Sequence, residues 1–345
     1  MKKALRIGLL TAIALCLMAA VAISLTVGWR PFIGPKVRRL TDRKFEATPD
    51  RLERGERLAH DTGCIFCHSP HDYKIPGRPA VPRRELSGQQ LPFAGLPGEI
   101  SAPNLTPDRD TGSGNWTDDQ FARAIREGIG HDGRALFPMM PYQNFRQMSD
   151  EDLASIIVYL RSVPPVHNQT PKTEIIFPVK YLIRSAPQPV TEPVPEPDTS
   201  DKLKWGSYLV ARSGCNDCHT PAVRGQGIPG MKLAGGFTLT EADRSITSAN
   251  ITPDPSGIAY YDENLFFQVM RTGLVKARQL NPIMPYSEYE YLSDDELKAM
   301  FAYLQSLPPV MHRVDNSLPP TDCKLCQGKH GAGDQNRVPP ARKTG

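Results

Sequence analysis

An excess of either charge is missing from this chain: 41 Lys+Arg stand against 37 Asp+Glu in 345 residues, a formal net charge of +4. So even a balance offers no basic field to a phosphate backbone, and nucleic acid is set aside as a partner. Hydrophobic residues are also sparse for a globular protein, at 39%. The alternation of apolar and polar residues that demands a sheet is absent as well, which points to an all-α fold. Proline, by contrast, is abundant and clustered, with 34 residues. The chain therefore reads as small helical units joined by turns and linkers. Units of that size gain from a large apolar cofactor that fills the interior.

The long apolar run stands at the start. After the basic lead "MKKALR", residues 7–29 carry no charge, and as a helix they reach roughly 34 Å, enough to cross a hydrocarbon core with some tilt. Trp29 falls at the outer edge, where an indole favours the interface. A cleaved signal peptide is the competing reading, because Ala20-Val21-Ala22 resembles a cleavage site. The apolar run continues beyond it, so an uncleaved anchor is preferred. Leu15 before Cys16 does not suit a lipoprotein signal. Lys2, Lys3 and Arg6 precede the run and Arg30, Lys36, Arg38 and Arg39 come after it, so flanking charge does not fix its orientation.

Beyond the anchor the sequence reads twice. "TGCIFCH" at 62–68 is answered by "SGCNDCH" at 213–219, and "NLTPD" at 104–108 by "NITPD" at 250–254. "PMMPYQNF" at 138–145 matches "PIMPYSEY" at 282–289, and "SDEDLASIIVYLRSVPPV" at 149–166 matches "SDDELKAMFAYLQSLPPV" at 293–310. Order is kept while spacing shrinks slightly, the pattern of a duplicated domain. Ser149 with Asp152, and Ser293 with Glu296, suit helix N-termini. Leu153, Ile156, Ile157 and Leu160 then share one face, as do Leu297, Met300, Phe301 and Leu304. Earlier helices start at Thr117 and near Asp262, and short helices precede both cysteine motifs. The proline-rich stretch at 185–200 reads as an extended spacer, and "EIIFPVKYLIR" before it is apolar enough to rest on a domain or a partner.

Cys64, Cys67 and His68, and again Cys215, Cys218 and His219, have the spacing of covalent haem c attachment. Two thiols three positions apart on a helical turn can form thioethers along one porphyrin edge, and the next residue offers a neutral imidazole to the iron. Zinc needs two further ligands per motif, and none is evident near Cys215 and Cys218. A redox dithiol needs a βαβ context that is missing. For the sixth ligand the repeat nominates Met140 and Met284, each held extended by the following proline. Core filler is the plainer role for a methionine, but recurrence in one proline frame favours ligation. Met139 ranks lower because its counterpart is Ile283, and His71 and His131 lack repeat partners. Asn104 and Asn250 suit a backbone-bonded turn more than a propionate contact. Tyr142 and Tyr286 serve either packing or a hydrogen bond near a haem edge.

With its paired CxxCH, NLTPD/NITPD and MPY blocks and its "YL…PP" helix, the chain resembles the membrane-associated multihaem cytochrome c subunits of periplasmic alcohol and gluconate dehydrogenases. The resemblance implies class I cytochrome c folds and electron delivery to a quinone pool or another cytochrome. Those subunits usually carry three such motifs, and two occur here. The expected organisation is a cytoplasmic lead (1–6), a transmembrane anchor (7–29), a linker (30–47), a first cytochrome c domain (48–168), a Pro-rich linker (169–200), a second domain (201–316) and a disordered tail (317–345). Two covalently bound haem c groups are expected, with the domains in the periplasm on a single-pass anchor in the cytoplasmic membrane. Redox partners are a dehydrogenase, a quinol-oxidising complex, an oxidase or a soluble cytochrome. Six-coordinate iron favours an electron carrier with no catalytic residue. The alternatives are the electron-transfer subunit of a dehydrogenase, or a dihaem peroxidase-type enzyme. In the tail, "CKLCQGKHG" holds Cys323 and Cys326 without an adjacent histidine. A local disulfide or free thiols rank first there, a metal site completed by another chain second and a degenerate haem motif last.

Overall fold

A computed structural model describes residues 2–223, 225–241 and 244–337. Helix α1 (Lys2–Leu25) carries the apolar stretch Lys3–Leu25, with a mean hydropathy of 2.5, none of it buried. It is long and apolar enough to span a membrane. The helix stops short of residue 29 because Gly28 adopts φ +70° and its N–H reaches back to the Ile23 carbonyl at 2.8 Å. That left-handed closure is a glycine-dependent helix stop. Trp29 folds back, its indole N–H donating to the Ser24 hydroxyl at 3.0 Å.

After the short helix α2 (Arg30–Ile33), the 30–47 segment is not a free linker. The Arg38 guanidinium bonds the Asp119 carboxylate at 2.7 Å and Glu127 at 2.6 Å, both carboxylates being buried. The Phe45 N–H donates to Asp118 at 2.8 Å. The anchor is thereby clasped to the first helical unit.

That unit comprises α3 (Pro49–Asp61), α4 (Cys64–His68), α5 (Asp118–Glu127), α6 (Tyr142–Phe145) and α7 (Asp150–Ser162). A connecting segment holds α8 (Val179–Leu182). The second unit repeats the order with α9 (Lys202–Arg212), α10 (Cys215–His219), α11 (Glu263–Thr272), α12 (Tyr286–Tyr289) and α13 (Asp294–Ser306). Local chemistry starts the helices. Thr117 with Gln120, and Ser293 with Glu296, form full capping boxes, while the Ser149 hydroxyl accepts from the Asp152 N–H at 3.0 Å. Each unit has its own buried core, around Phe121, Leu153 and Ile157 in the first and Phe266, Leu297 and Met300 in the second.

In each unit the first helix crosses the last at a glycine. A Cβ on Gly55 would collide with the Ser155 carbonyl, and one on Gly206 with the Ala299 carbonyl. The backbones touch at both crossings, which Gly alone permits. These glycines lie 151 positions apart (55 and 206), as do Cys64 and Cys215.

Helices build the cores, but the all-α expectation needs widening. Among the described residues there are also ladders of two to four residues, too short to leave an alternating pattern. One three-stranded sheet joins the units, Phe93–Ala94 pairing with Thr238–Glu241, which pairs with Arg244–Thr247. The "EIIFPVKYLIR" stretch docks on the first unit, Glu174–Ile175 pairing with Gly98–Glu99. The Pro-rich spacer is tied to α7, the Asp150 N–H donating to the Val194 carbonyl at 2.8 Å.

The tail departs most from expectation. Residues 317–337 are ordered, with Pro320–Asp322 pairing antiparallel to Lys329–Gly331. Cys323, Cys326 and His330 are buried beneath this hairpin with Met231 and Ala234. Composition suggested disorder, but a few buried side chains and a backbone clasp outweigh it. The clasp includes Asp315 N–H to Gly331 O at 3.0 Å and Arg313 N–H to the Asn336 side chain at 2.7 Å. Residues 338–345 lie outside the described residues.

Gly206→Val forces α9 and α13 apart and is expected to cost on the order of 3 kcal/mol. Denaturant unfolding of the purified chain measures it. A loss below about 1 kcal/mol would show that the helix crossing tolerates a side chain.

Candidate functional site

The two cysteine-histidine helices are built alike. The chain leaves α3 and α9 through Gly63 and Gly214, both left-handed at φ +77° and +72°. Each glycine reverses the backbone so that a one-turn helix can start at once. Cys64 and Cys67 then share one turn with His68 next to them, and Cys215, Cys218 and His219 repeat the arrangement.

Each imidazole is fixed by one backbone carbonyl. His68 Nδ1 lies 2.8 Å from the Pro103 oxygen, and His219 Nδ1 lies 2.7 Å from the Ala249 oxygen. A proton on Nδ1 leaves Nε2 with its lone pair, the state a metal requires. Burial pushes His68 down to about 4 and lowers His219 in the same sense. Both rings are therefore neutral at physiological pH.

The carbonyls are held by the Asn-x-Thr turns that come directly after them. Asn104 Oδ1 accepts from the Thr106 N–H at 3.0 Å and its hydroxyl at 2.7 Å, while Nδ2 donates to the Val166 carbonyl at 2.8 Å. Asn250 does the same with Thr252, at 2.9 and 2.7 Å, and with Val310 at 2.7 Å. Both amides are consumed by the turn and by the segment after the last helix, which favours the turn role over a propionate contact.

Met140 and Met284 sit in matching turns. In each, the N–H of the tyrosine two residues on donates to the methionine carbonyl at 2.8 Å. Met140 rests against the core cluster that contains Cys64, and Met284 against the one that contains Cys215. Met139 is in neither cluster. The tyrosines have a packing role: the Tyr142 and Tyr286 rings lie over Gly128 and Gly273, the left-handed ends of α5 and α11. His71 has both ring nitrogens within 2.7 Å of backbone carbonyls, of Arg78 and Phe66. His131 stacks on Trp116 at 4.5 Å. Neither joins the site.

Burial drives all four motif thiols upward, Cys64 to about 11 and Cys67, Cys215 and Cys218 to about 12. Such thiols are protonated and poor nucleophiles, the opposite of a redox dithiol. What each unit assembles is two thiols, one neutral imidazole with a free Nε2, and one thioether on the edge of an apolar cluster. That donor set fits haem c.

The units meet with their motifs turned toward each other. Asp61 and Arg212 occupy equivalent positions, 151 apart, each three residues ahead of its first motif cysteine. They form a buried ion pair. Arg212 also reaches Asp152 and Glu296, both at 3.3 Å, and these are themselves repeat partners. The remaining contacts are nearly reciprocal. Tyr208 bonds Asp152 while Arg57 faces Glu296 at 3.8 Å. His60 lies 2.7 Å from Glu288 of α12, and Asn144 of α6 donates to Asp217 at 2.7 Å. His60 also stacks on Tyr291 at 3.6 Å. Sequence reasoning missed this interface, although opposite charges at positions 61 and 212 of the repeat were its visible trace.

Residues 52–164 match the family model described as cytochrome c. The fructose dehydrogenase cytochrome subunit of Gluconobacter japonicus is 32% identical over 74% of this chain and 52% of its own length. An alcohol dehydrogenase (quinone) cytochrome c subunit from Gluconobacter oxydans is 29% identical over 75% of this chain and 55% of its own. A diheme cytochrome c-type protein of Cereibacter sphaeroides is 27% identical over 77% of this chain and 89% of its own. The chain thus spans about half the length of the first two relatives.

Burial lifts the Asp61 carboxyl to about 7 against the pull of Arg212. A carboxyl whose folded value exceeds its unfolded value of about 3.9 binds its proton more firmly in the native state. Its contribution to stability is full below that unfolded value and is lost as pH rises toward 7. The midpoint of thermal unfolding of Asp61→Asn, minus that of the parent, is expected to grow between about pH 4 and pH 7. A constant or shrinking difference would show that the interface accommodates the ionised carboxylate without penalty.

Proposed function

We propose that this chain, which contains a cytochrome c domain and resembles the relatives named above, is an electron-transfer protein and, more narrowly, a dihaem c-type carrier. In this reading two tandem class I cytochrome c domains, 48–168 and 201–316, each hold one covalent haem c. The observation that carries the proposal is the twice-built donor set, with His68 and His219 each bonded through Nδ1 to the carbonyl before an Asn-x-Thr turn. Haem iron supplies a one-electron couple whose potential depends on its axial ligands and their surroundings.

The protein's share of the work is positional. Cys64, Cys67, Cys215 and Cys218 are the thioether attachment points. His68 and His219, kept neutral by burial, together with Met140 and Met284 would supply the ligands to the iron. A group held by a histidine and a methionine together would offer no position to a substrate, and no catalytic residue is assigned. A peroxidase-type enzyme needs one five-coordinate haem or a ligand that leaves, and the methionine turn present in both units weighs against it. The second motif helix packs directly on the first unit, where Asn144 donates to Asp217 at 2.7 Å.

The setting we propose is the periplasmic face of the cytoplasmic membrane, with α1 as anchor. Trp29, Phe32, Ile33, Ile176 and Phe177 are exposed where α1 ends, and the Arg184 guanidinium ties α8 back to the Pro31 carbonyl at 3.1 Å. Such an apolar rim suits the lipid interface. The dehydrogenase subunits among its relatives favour a membrane-bound dehydrogenase as electron donor and, in that case, a subunit role for this chain. A quinone pool, an oxidase or a soluble cytochrome would accept the electrons.

Haem assay of the membrane-extracted protein is expected to give two covalent haems per chain. Met140→Ala and Met284→Ala should each abolish the Met–iron charge-transfer absorbance of one haem and lower that haem's potential while leaving the other unchanged. One haem or three would refute the domain reading, and a variant with its ferric spectrum intact would remove that methionine from the ligand set.

A further inference from the structure

The hairpin at 313–337 encloses a second cluster of donors, separate from both haem motifs. His312, Cys323, Cys326 and His330 bring one ligand atom each to within 4.8 Å of one another, and all four are buried. Cys323 Sγ lies 3.4 Å from His312 Nε2. In a tetrahedral zinc site with Zn–S near 2.3 Å and Zn–N near 2.0–2.1 Å, a sulfur–nitrogen edge is about 3.5 Å. The observed spacing is that of a coordination shell.

The two imidazoles are aimed inward. His312 Nδ1 lies 2.8 Å from the Ala234 carbonyl, which leaves Nε2 facing the thiols. His330 Nδ1 lies 2.9 Å from the Gly331 carbonyl, and its Nε2 is buried with no hydrogen-bond partner. An orphaned nitrogen of this kind is costly unless something binds it. Each histidine thus has the outer-shell carbonyl that orients metal-bound imidazoles.

The repeat supplies an internal control. Asn168 of the first unit stands where His312 stands in the second, 144 positions on. The Asn168 side chain donates to the Ser87 carbonyl at 2.8 Å, as His312 does to Ala234. An amide is enough for that structural bond. Histidine adds a second nitrogen, and only in the unit whose partner segment brings two cysteines and another histidine to meet it.

We propose that His312, Cys323, Cys326 and His330 form a closed, structural zinc site. Two thiolates and two imidazoles in tetrahedral array suit Zn²⁺. All four ligands come from one chain and no position is open, so the ion braces the fold and meets no substrate. The backbone closes in on the cluster: a Cβ on Gly236 would lie 2.8 Å from the His312 ring and 3.1 Å from Cys326 Cβ. A Cys323–Cys326 disulfide would leave both Nε2 atoms without a partner. What the site braces is the 231–236 segment, in which the Gly235 N–H donates to the His219 carbonyl at 2.7 Å.

Metal analysis of the full membrane-extracted protein, with haem counted on the same sample, tests this. One zinc per chain is expected beyond the haem iron, and zinc-edge X-ray absorption should show two sulfurs and two nitrogens. His312→Asn copies the first unit's own solution, so it should fold with unchanged covalent haem yet lose the zinc. Cys323→Ser with Cys326→Ser should lose it too. A zinc-free native chain, a mass showing a Cys323–Cys326 disulfide, a shell without sulfur, or zinc retained in His312→Asn would each overturn the site.

Discussion

A single backbone carbonyl in each unit, of Pro103 and of Ala249, decides which nitrogen of a buried histidine is left free. Most of each unit can be read as what it takes to hold that oxygen in place. The carbonyl leads directly into an Asn-x-Thr turn, whose amide spends both of its ends locally. One end closes the turn, and the other grips Val166 or Val310, just beyond the last helix. That helix is itself located by the glycine crossing with the first, and the first delivers the cysteines through a left-handed glycine. The loop of dependence is closed: cysteine helix, crossing, last helix, turn, carbonyl, imidazole. Few of its steps tolerate drift, since an imidazole in the wrong tautomer carries its lone pair on Nδ1 and not on Nε2.

Duplication explains how the two sites come to face each other. Equivalent residues meet across the interface as they would in a two-fold dimer, but within one chain they are free to differ. Asp61 and Arg212 have used that freedom to become opposite charges at one pseudo-symmetric point. Buried ion pairs add little net stability over an apolar contact, while removing one partner is costly because the other is left uncompensated. Arg212 among Asp61, Asp152 and Glu296 is therefore better understood as fixing register between the units than as gluing them.

Local signals were legible and long-range ones were not. The cysteine spacing, the capping residues at Thr117, Ser149 and Ser293, and the turn at Asn104 and Asn250 each announce themselves within a few positions. The chemistry of those residues acts on their own neighbours in the chain. The end of α1 was misplaced because Gly28 lies inside a run that hydropathy cannot divide. The strands escaped notice because ladders of two residues are too short to alternate, and some pair loops remote in sequence, as Gly98–Glu99 does with Glu174–Ile175. The tail misled for a related reason: its polar composition is real, but Cys323, Cys326 and His330 face inward together with His312, eleven residues before the first of them. Counting residues cannot show which ones converge.

Differences between the copies show what each unit is attached to. In the first unit, Asp119 and Glu127 on α5 grip Arg38, the residue that leads back to the membrane helix. At the matching positions of α11 stand Asn264 and Thr272, neither able to form that ion pair. Among the described residues the second unit receives no such strap, and its specialisation lies at His312 instead, where the tail hairpin closes over it. One copy has thus been adapted to hold the anchor and the other to hold the C-terminal hairpin. The parts common to both, glycine crossing, cysteine helix, Asn-x-Thr turn and methionine loop, are those that form the haem-type donor set. Because both copies share one chain, a residue present in both marks a requirement of the fold or its site, and a residue present in one marks what that copy alone must touch.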